Sequence, residues 1–134
     1  MITHNTQIRT RYGEVDQMGY VYHANYVSYC HEARTELLRE YGINDLVLER
    51  NNIMIPVITF SIDYKNAAHY DDLLTVKTTL TDIKGPKMSF DFVITNEEGK
   101  TIIEAYTVVV FVNANTRKPL RVPQLVKDAL GLKE

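Results

Sequence analysis

Asn25 to Tyr41 reads NYVSYCHEARTELLREY. Tyr26, Cys30, Ala33, Leu37 and Tyr41 recur at spacings of four, three, four and four. That rhythm puts them on one stripe of an α-helix. Glu32, Arg34, Glu36, Arg39 and Glu40 fill the other positions with charge. Asn25 suits the N-cap, and Gly42 suits the C-terminal stop, where the backbone turns left-handed. A helix with one apolar stripe needs a layer to cover that stripe.

The layer follows downstream. From Pro56 the period changes to two. Ile58, Phe60, Ile62 and Tyr64 alternate with Thr59, Ser61, Asp63 and Lys65; Leu74, Val76, Thr78 and Leu80 alternate with Thr75, Lys77, Thr79 and Thr81; Met88, Phe90, Phe92 and Ile94 repeat the pattern. Residues 101–113 are β-rich on both faces. These are four strands. Gly85-Pro86 and Asn96-Glu97-Glu98-Gly99 give short turns, so neighbours are antiparallel. Upstream, residues 5–12 form a first strand and Gly13 to His23 a loop. A short helix or turn covers Asn44 to Glu49, and Pro123 to Leu130 form a closing helix. The expected fold is α+β: one long helix against a five-stranded antiparallel sheet. The last strand is apolar on both sides and no second long helix exists to cover it. A second subunit related by a two-fold axis is the expected cover.

Length and composition fit a single domain of residues 1–134. Hydrophobic residues make up 45% and charged residues 24%, with a net charge of -2 from 15 basic and 17 acidic residues. No basic surface is expected, so no nucleic-acid partner. Cys30 is the one cysteine, which excludes a disulfide within the chain and suits a reducing compartment. The opening MITHNTQIRTRY has no apolar signal-peptide core. No apolar run approaches the roughly 20 residues of a membrane helix. The expected location is the cytoplasm, without membrane insertion.

The chemistry is sought in the loop before the helix. There is no G-x-S-x-G elbow, G-x-G-x-x-G loop or P-loop. His4, His23, His31 and His69 show no zinc spacing, so no metal is expected. Cys30 sits on the apolar stripe and reads as core rather than nucleophile. Arg11 to Tyr26 reads RYGEVDQMGYVYHANY. It brings a carboxylate, Asp16, and a glycine turn to the mouth of a helix, where free N–H groups and a partial positive charge favour an oxyanion. That is a minimal acyl-transfer site. An extended chain would put Tyr12 on the same face as Asp16. Two plain alternatives stand beside this reading. Asp16 serves as a turn former, and His23 as a capping or surface histidine.

At this loop the sequence resembles the 4-hydroxybenzoyl-CoA thioesterase family of hot-dog fold enzymes. It is particularly similar to the short acyl-CoA thioesterases associated with the Tol–Pal system. The matching residues are Asp16, Gly19, Val21, Tyr22, His23, Ala24, Asn25 and Tyr26, then Glu32-Ala33-Arg34. Asp63-Tyr64-Lys65 and Tyr70-Asp71-Asp72 match more loosely. The resemblance implies a helix wrapped by the sheet, Asp16 as catalytic carboxylate and the His23 N–H as oxyanion donor. The His23 and Tyr12 side chains are implicated with them. It also implies dimers, often tetramers, with the CoA arm crossing onto the partner. Gly19, Asn25 and Tyr26 would border the substrate, and Lys84, Lys87 and Ser89 would meet CoA. Glu14 stands where relatives carry an aspartate, and Met18 and Tyr20 replace residues that are often smaller. The expected reaction cleaves an acyl-CoA or acyl-carrier-protein thioester without a cofactor. The rival readings are a non-catalytic thioester-binding module and a hot-dog dehydratase. Thiol release separates both from a thioesterase.

Overall fold

The computed structural model describes residues 2–132. Residues 1, 133 and 134, which the expected domain includes, lie outside the described residues. The long helix, α1, spans Asn25–Glu40 and its apolar stripe faces inward. Cys30, Ala33 and Leu37 are completely buried, and Tyr26 and Tyr29 nearly so. Gly42 ends the helix with φ +80°; Gly42 N–H donates to Arg39 O and Ile43 N–H to Leu38 O, both at 2.9 Å. This pair of bonds satisfies the last carbonyls. The start differs from expectation. Ala24, not Asn25, is the N-cap and offers no side-chain acceptor. Asn25 already has helical geometry, so its amide is free to reach back to the Glu14 carbonyl at 2.8 Å.

Strands β1 (Ile2–Arg9), β2 (Ile53–Met54), β3 (Val57–Tyr64), β4 (Leu73–Lys84), β5 (Lys87–Thr95), β6 (Thr101–Val110) and β7 (Val112–Asn113) follow in chain order. Five of them form an antiparallel sheet in the order β1-β4-β5-β6-β3. Its inner face carries Leu74, Val76, Met88, Phe90, Phe92, Ile94, Ile103 and Val109 against α1. Burying an aromatic such as Phe90 or Phe92 contributes roughly 2–3 kcal/mol. The Lys84-Gly85-Pro86-Lys87 turn closes β4 onto β5, with Gly85 at φ +62°. Glycine before proline suits such a two-residue hairpin. Two short helices complete the chain: α2 (Asp45–Arg50), capped by Asn44 accepting from Val47 N–H at 2.9 Å, and α3 (Gln124–Ala129).

Three expectations need correction. The first strand lies at Ile2–Arg9 rather than 5–12, because Tyr12–Glu14 coil into a 3-10 turn. A bulge between Val57 and Thr59 turns Ile58 outward, leaving it half exposed despite its place in the alternation. The outer side of the last strand is covered at its two ends within the chain, where Ile102 and Val110 are buried, and open between them at Tyr106. Val112 bridges Pro119, and Leu120 N–H and Val122 N–H donate to Phe111 O and Gly85 O. β2 and β7 form a separate small sheet that the period did not reveal. β3 ends the main sheet, hydrogen-bonded only to β6 among the described residues. No helix among them is long and apolar enough to cross a membrane.

Candidate active site

Between the 3-10 turn and α1 the chain makes a tight hairpin. Val15 bridges Val21, Asp16 N–H donates to Tyr20 O at 2.8 Å, and Gly19 N–H donates to Asp16 O at 3.0 Å. Gly19 has φ +80°, the left-handed position that such a turn requires and that glycine takes without strain. The Asp16 side chain holds the turn from within. Its Oδ1 accepts the N–H of Met18 at 2.8 Å and of Tyr20 at 3.2 Å. The other carboxylate oxygen has no partner among the described residues, and Asp16 is exposed. One oxygen is anchored and the other is available.

Glu14 locks this loop to the helix. Its backbone oxygen accepts from Tyr22 N–H and from Asn25 Nδ2. Its carboxylate accepts from the Arg11 backbone at 2.8 Å, the Arg11 guanidinium at 3.0 Å and the Tyr29 hydroxyl at 2.9 Å. Burial penalises the charged Glu14, but the hydrogen bonds from Arg11 and Tyr29 outweigh it and hold the carboxyl below its usual pKa. Tyr29 shifts upward, through burial first and then through its bond to Glu14. The structural ion pair of the loop is therefore Glu14's, and Asp16 is left out of it.

At the helix mouth, Tyr64 Oη donates to His23 O at 3.2 Å and Asn25 N–H to Tyr22 O at 2.9 Å. No acceptor among the described residues meets the N–H of His23 or Ala24. The His23 ring is exposed, 4.5 Å from the Tyr22 ring and edge-on to Tyr64. Tyr26 is buried, its ring 5.8 Å from that of Tyr64, and its hydroxyl accepts from Ala68 N–H at 3.4 Å. Burial raises the Tyr26 pKa, against the lowering effect of the hydrogen bond from Ala68. Tyr12 packs edge-on to Tyr70, and Tyr20 edge-on to His69. The arrangement offers an oriented carboxylate and open amides beside a tyrosine-rich rim.

Residues 10–130 match the thioesterase-like superfamily. This chain belongs to that family. The thioesterase-like chain is 34% identical over 123 residues to the acyl-CoA thioesterase YbgC of Haemophilus influenzae, covering 91% of this chain and 90% of that one. It is 32% identical over 119 residues to the acyl-CoA thioester hydrolase YbgC of Escherichia coli O6:H1, covering 89% of each. A crystal structure of the DHNA-CoA thioesterase of Staphylococcus aureus superposes with a TM-score of 0.91 at 28% identity, covering 98% of this chain and 90% of that one. The fold is the hot-dog fold, as the order of elements and the loop motif led us to expect.

In this thioesterase-like chain Asp16 and Gly19 lie in the turn of the hairpin, and His23, Asn25 and Tyr26 follow at the start of α1. Asn25 and Tyr26 are engaged internally, with the Glu14 carbonyl and Ala68. Tyr12 does not join Asp16 through an extended strand; the 3-10 turn intervenes and its ring meets Tyr70. Lys84, Lys87 and Ser89 are not brought to Asp16 within one chain. Ser89 alternates with the inward Met88 and Phe90, so it faces away from α1, and its hydroxyl accepts from Tyr106. Lys87 shares its face, with Lys84 opposite across the hairpin. Cys30 is completely buried and burial pushes its thiol up to about 12, which leaves it inert. Sequence reasoning missed the Glu14–Tyr29 bond, the Tyr64 contact and the burial of Arg34. The one available signal was that Tyr29 and Arg34 each adjoin the apolar stripe.

Proposed function

We propose that this protein hydrolyses acyl-CoA thioesters to a free acid and CoA, with Asp16 as nucleophile or general base. Membership of the thioesterase-like superfamily makes the chain a thioester hydrolase. The observation that carries the finer reading is the Asp16 carboxylate, held by one oxygen in the turn of the hairpin that leads into α1, whose His23 and Ala24 N–H groups have no acceptor among the described residues. The thioester oxygen accepts from the His23 N–H, with Ala24 N–H adjacent, and the developing charge is stabilised there. Asp16 then attacks the carbonyl carbon, giving a mixed anhydride that water opens. In the other route it removes a proton from the attacking water. Either way the C–S bond breaks and CoA leaves as the thiol. In the general-base route the acid takes its new oxygen from water. In the covalent route water attacks the Asp16 carboxyl carbon, so that the acid leaves with an Asp16 oxygen and the water oxygen stays on Asp16. No cofactor is called for.

The edge strand β3 and the outward position of Lys84 and Lys87 support a dimer, in which a partner's lysines reach the CoA arm. The single cysteine supports a cytoplasmic location. The decisive experiment is thiol release from a panel of acyl-CoAs by wild type and Asp16→Asn. The variant should lose at least about 100-fold in kcat, since a nucleophile or base is removed. A folded Asp16→Asn protein with undiminished turnover would exclude Asp16. Single turnover in ¹⁸O water separates the routes: only the covalent one labels the Asp16 carboxylate.

A further inference from the structure

Arg34 is a buried cation that makes no ion pair among the described residues. Only 7% of the residue is exposed, and its Nη1 has no hydrogen-bond partner among the described residues. Its Nη2 lies 3.0 Å from His31 Nδ1. A guanidinium only donates, so Nδ1 accepts and the His31 ring carries its proton on Nε2. Asp45 acts on Arg34 through space but forms no ion pair with it. Taking a guanidinium out of water without a hydrogen-bonded counter-charge is costly, and Asp45, which acts only through space, leaves Nη1 unsatisfied.

Arg34 and His31 line a cavity of about 150 Å³ walled by Val27, Cys30, Phe60 and Phe92. An apolar space of that size admits a benzene-sized group. Val27 and His31 lie one turn apart on α1, so the cavity runs along the helix from its first turn. From Ala24 to His31 the helix rises about 10 Å. The Arg34 side chain reaches back toward the N-terminus, as helical side chains do, which brings its guanidinium level with His31.

We infer that Arg34, assisted by His31, receives a carboxylate at the far end of the acyl group, so that the substrate class is the CoA thioester of a short dicarboxylic acid. This deepens the hydrolase reading and rests on it. The thioester sits at the helix mouth, the methylenes fill the cavity between Val27 and Phe92, and the distal carboxylate completes the guanidinium. A neutral chain end would leave the cation unpaired, and a site built around a buried polar group rejects such an analogue.

The test is calorimetric binding to the Asp16→Asn protein, which removes turnover from the comparison. Adipyl-CoA is set against heptanoyl-CoA, a neutral chain of similar length. Asp16→Asn should bind adipyl-CoA about tenfold or more tighter, a margin expected of a charge-assisted bond. Adding Arg34→Met should reverse that order, and Arg34→Lys should restore part of it. Equal binding, or tighter binding of heptanoyl-CoA, by Asp16→Asn with Arg34 intact overturns the inference and needs no Arg34 variant to fold. So does an adipyl preference that survives Arg34→Met. If that variant instead dissociates an oligomer in sedimentation with no change in preference, a second copy is the missing partner and the inference falls. Wild-type turnover of heptanoyl-CoA without an adipyl preference sinks this inference alone. Absence of turnover on every acyl-CoA sinks the hydrolase reading, while the binding comparison still decides this one.

Discussion

The Tyr29 hydroxyl donates a 2.9 Å hydrogen bond to the Glu14 carboxylate and so ties the second turn of α1 to the loop that carries Asp16. Both partners are shifted by it in the sense that strengthens the tie. Glu14 is held ionised against its burial, and Tyr29 is held protonated. A hydrogen bond to a charged group contributes about 1.5–3 kcal/mol. Tyr29→Phe should lower the unfolding free energy by about 1.5–3 kcal/mol in urea denaturation, without changing the m-value.

The same pair sets a pH dependence. The folded Glu14 pKa lies below the unfolded one, so its contribution is fully present above the unfolded value, about 4.3. It is lost as pH falls through the folded value. Tyr29 has the opposite sign: its raised pKa gives stability that is present below about pH 10 and lost above. Glu14→Gln should therefore be less stable than wild type at pH 7 and lose less on acidification below pH 5. Denaturation midpoints at pH 7, 5 and 3.5 check this. A constant difference across the three would remove Glu14 from the acid transition.

Asp16 has a structural and a chemical role that substitution can divide. Its Oδ1 holds the Met18 and Tyr20 amides, and the turn depends on that acceptor. Asparagine keeps a carbonyl oxygen there and alanine does not. Asp16→Asn should stay within about 0.5 kcal/mol of wild-type stability, while Asp16→Ala should lose about 1 kcal/mol, the usual cost of such an acceptor. Both should be inactive in thiol release. Equal stability of the two variants would mean the turn holds itself.

Tyr64 acts through His23. Its hydroxyl donates to the His23 carbonyl, which fixes the turn whose N–H groups stay open. Tyr64→Phe keeps the ring against Tyr26 and His23 but releases the carbonyl. The oxyanion donor loses its fixed aim, so kcat should fall about tenfold with KM little changed, a loss confined to the transition state. A rise in KM with constant kcat would assign Tyr64 to ground-state binding instead.

How much of this was legible depended on distance along the chain. The α1 stripe, the Gly42 stop and the strand alternation are local periodicities, and they located the helix and sheet to within a few residues. The Asp16–Gly19 turn was readable because glycine has one physical reason to be there. The bulge at Ile58 was not, since nothing in Val57-Ile58-Thr59 differs from a regular strand. Nor was Arg34. By position it reads as a charge beside the stripe, and only the approach of β3 and β5 residues such as Phe60 and Phe92 makes it buried. The loop conformation failed for a related reason. Glu14 reaching Tyr29, fifteen residues on, favours a 3-10 turn at Tyr12 over the extended chain that its neighbours suggest.

Thr78 gives a prediction free of the active site. It lies in the middle of β4, completely buried, between His4 on β1 and Phe92 on β5. Its hydroxyl has no hydrogen-bond partner among the described residues. A buried hydroxyl left unpaired forfeits its hydration and gains nothing in return. Valine has almost the same shape and suits a strand, so Thr78→Val replaces the orphan with a methyl group at little steric cost. The variant should be more stable by about 1 kcal/mol, which for a chain of this size is a rise of about 4 °C in Tm. Thiol release should be unchanged, since Thr78 lies outside the Asp16 loop and the helix mouth. A loss of stability on Thr78→Val would mean that the hydroxyl finds a partner, and scanning calorimetry of the two proteins decides between these outcomes.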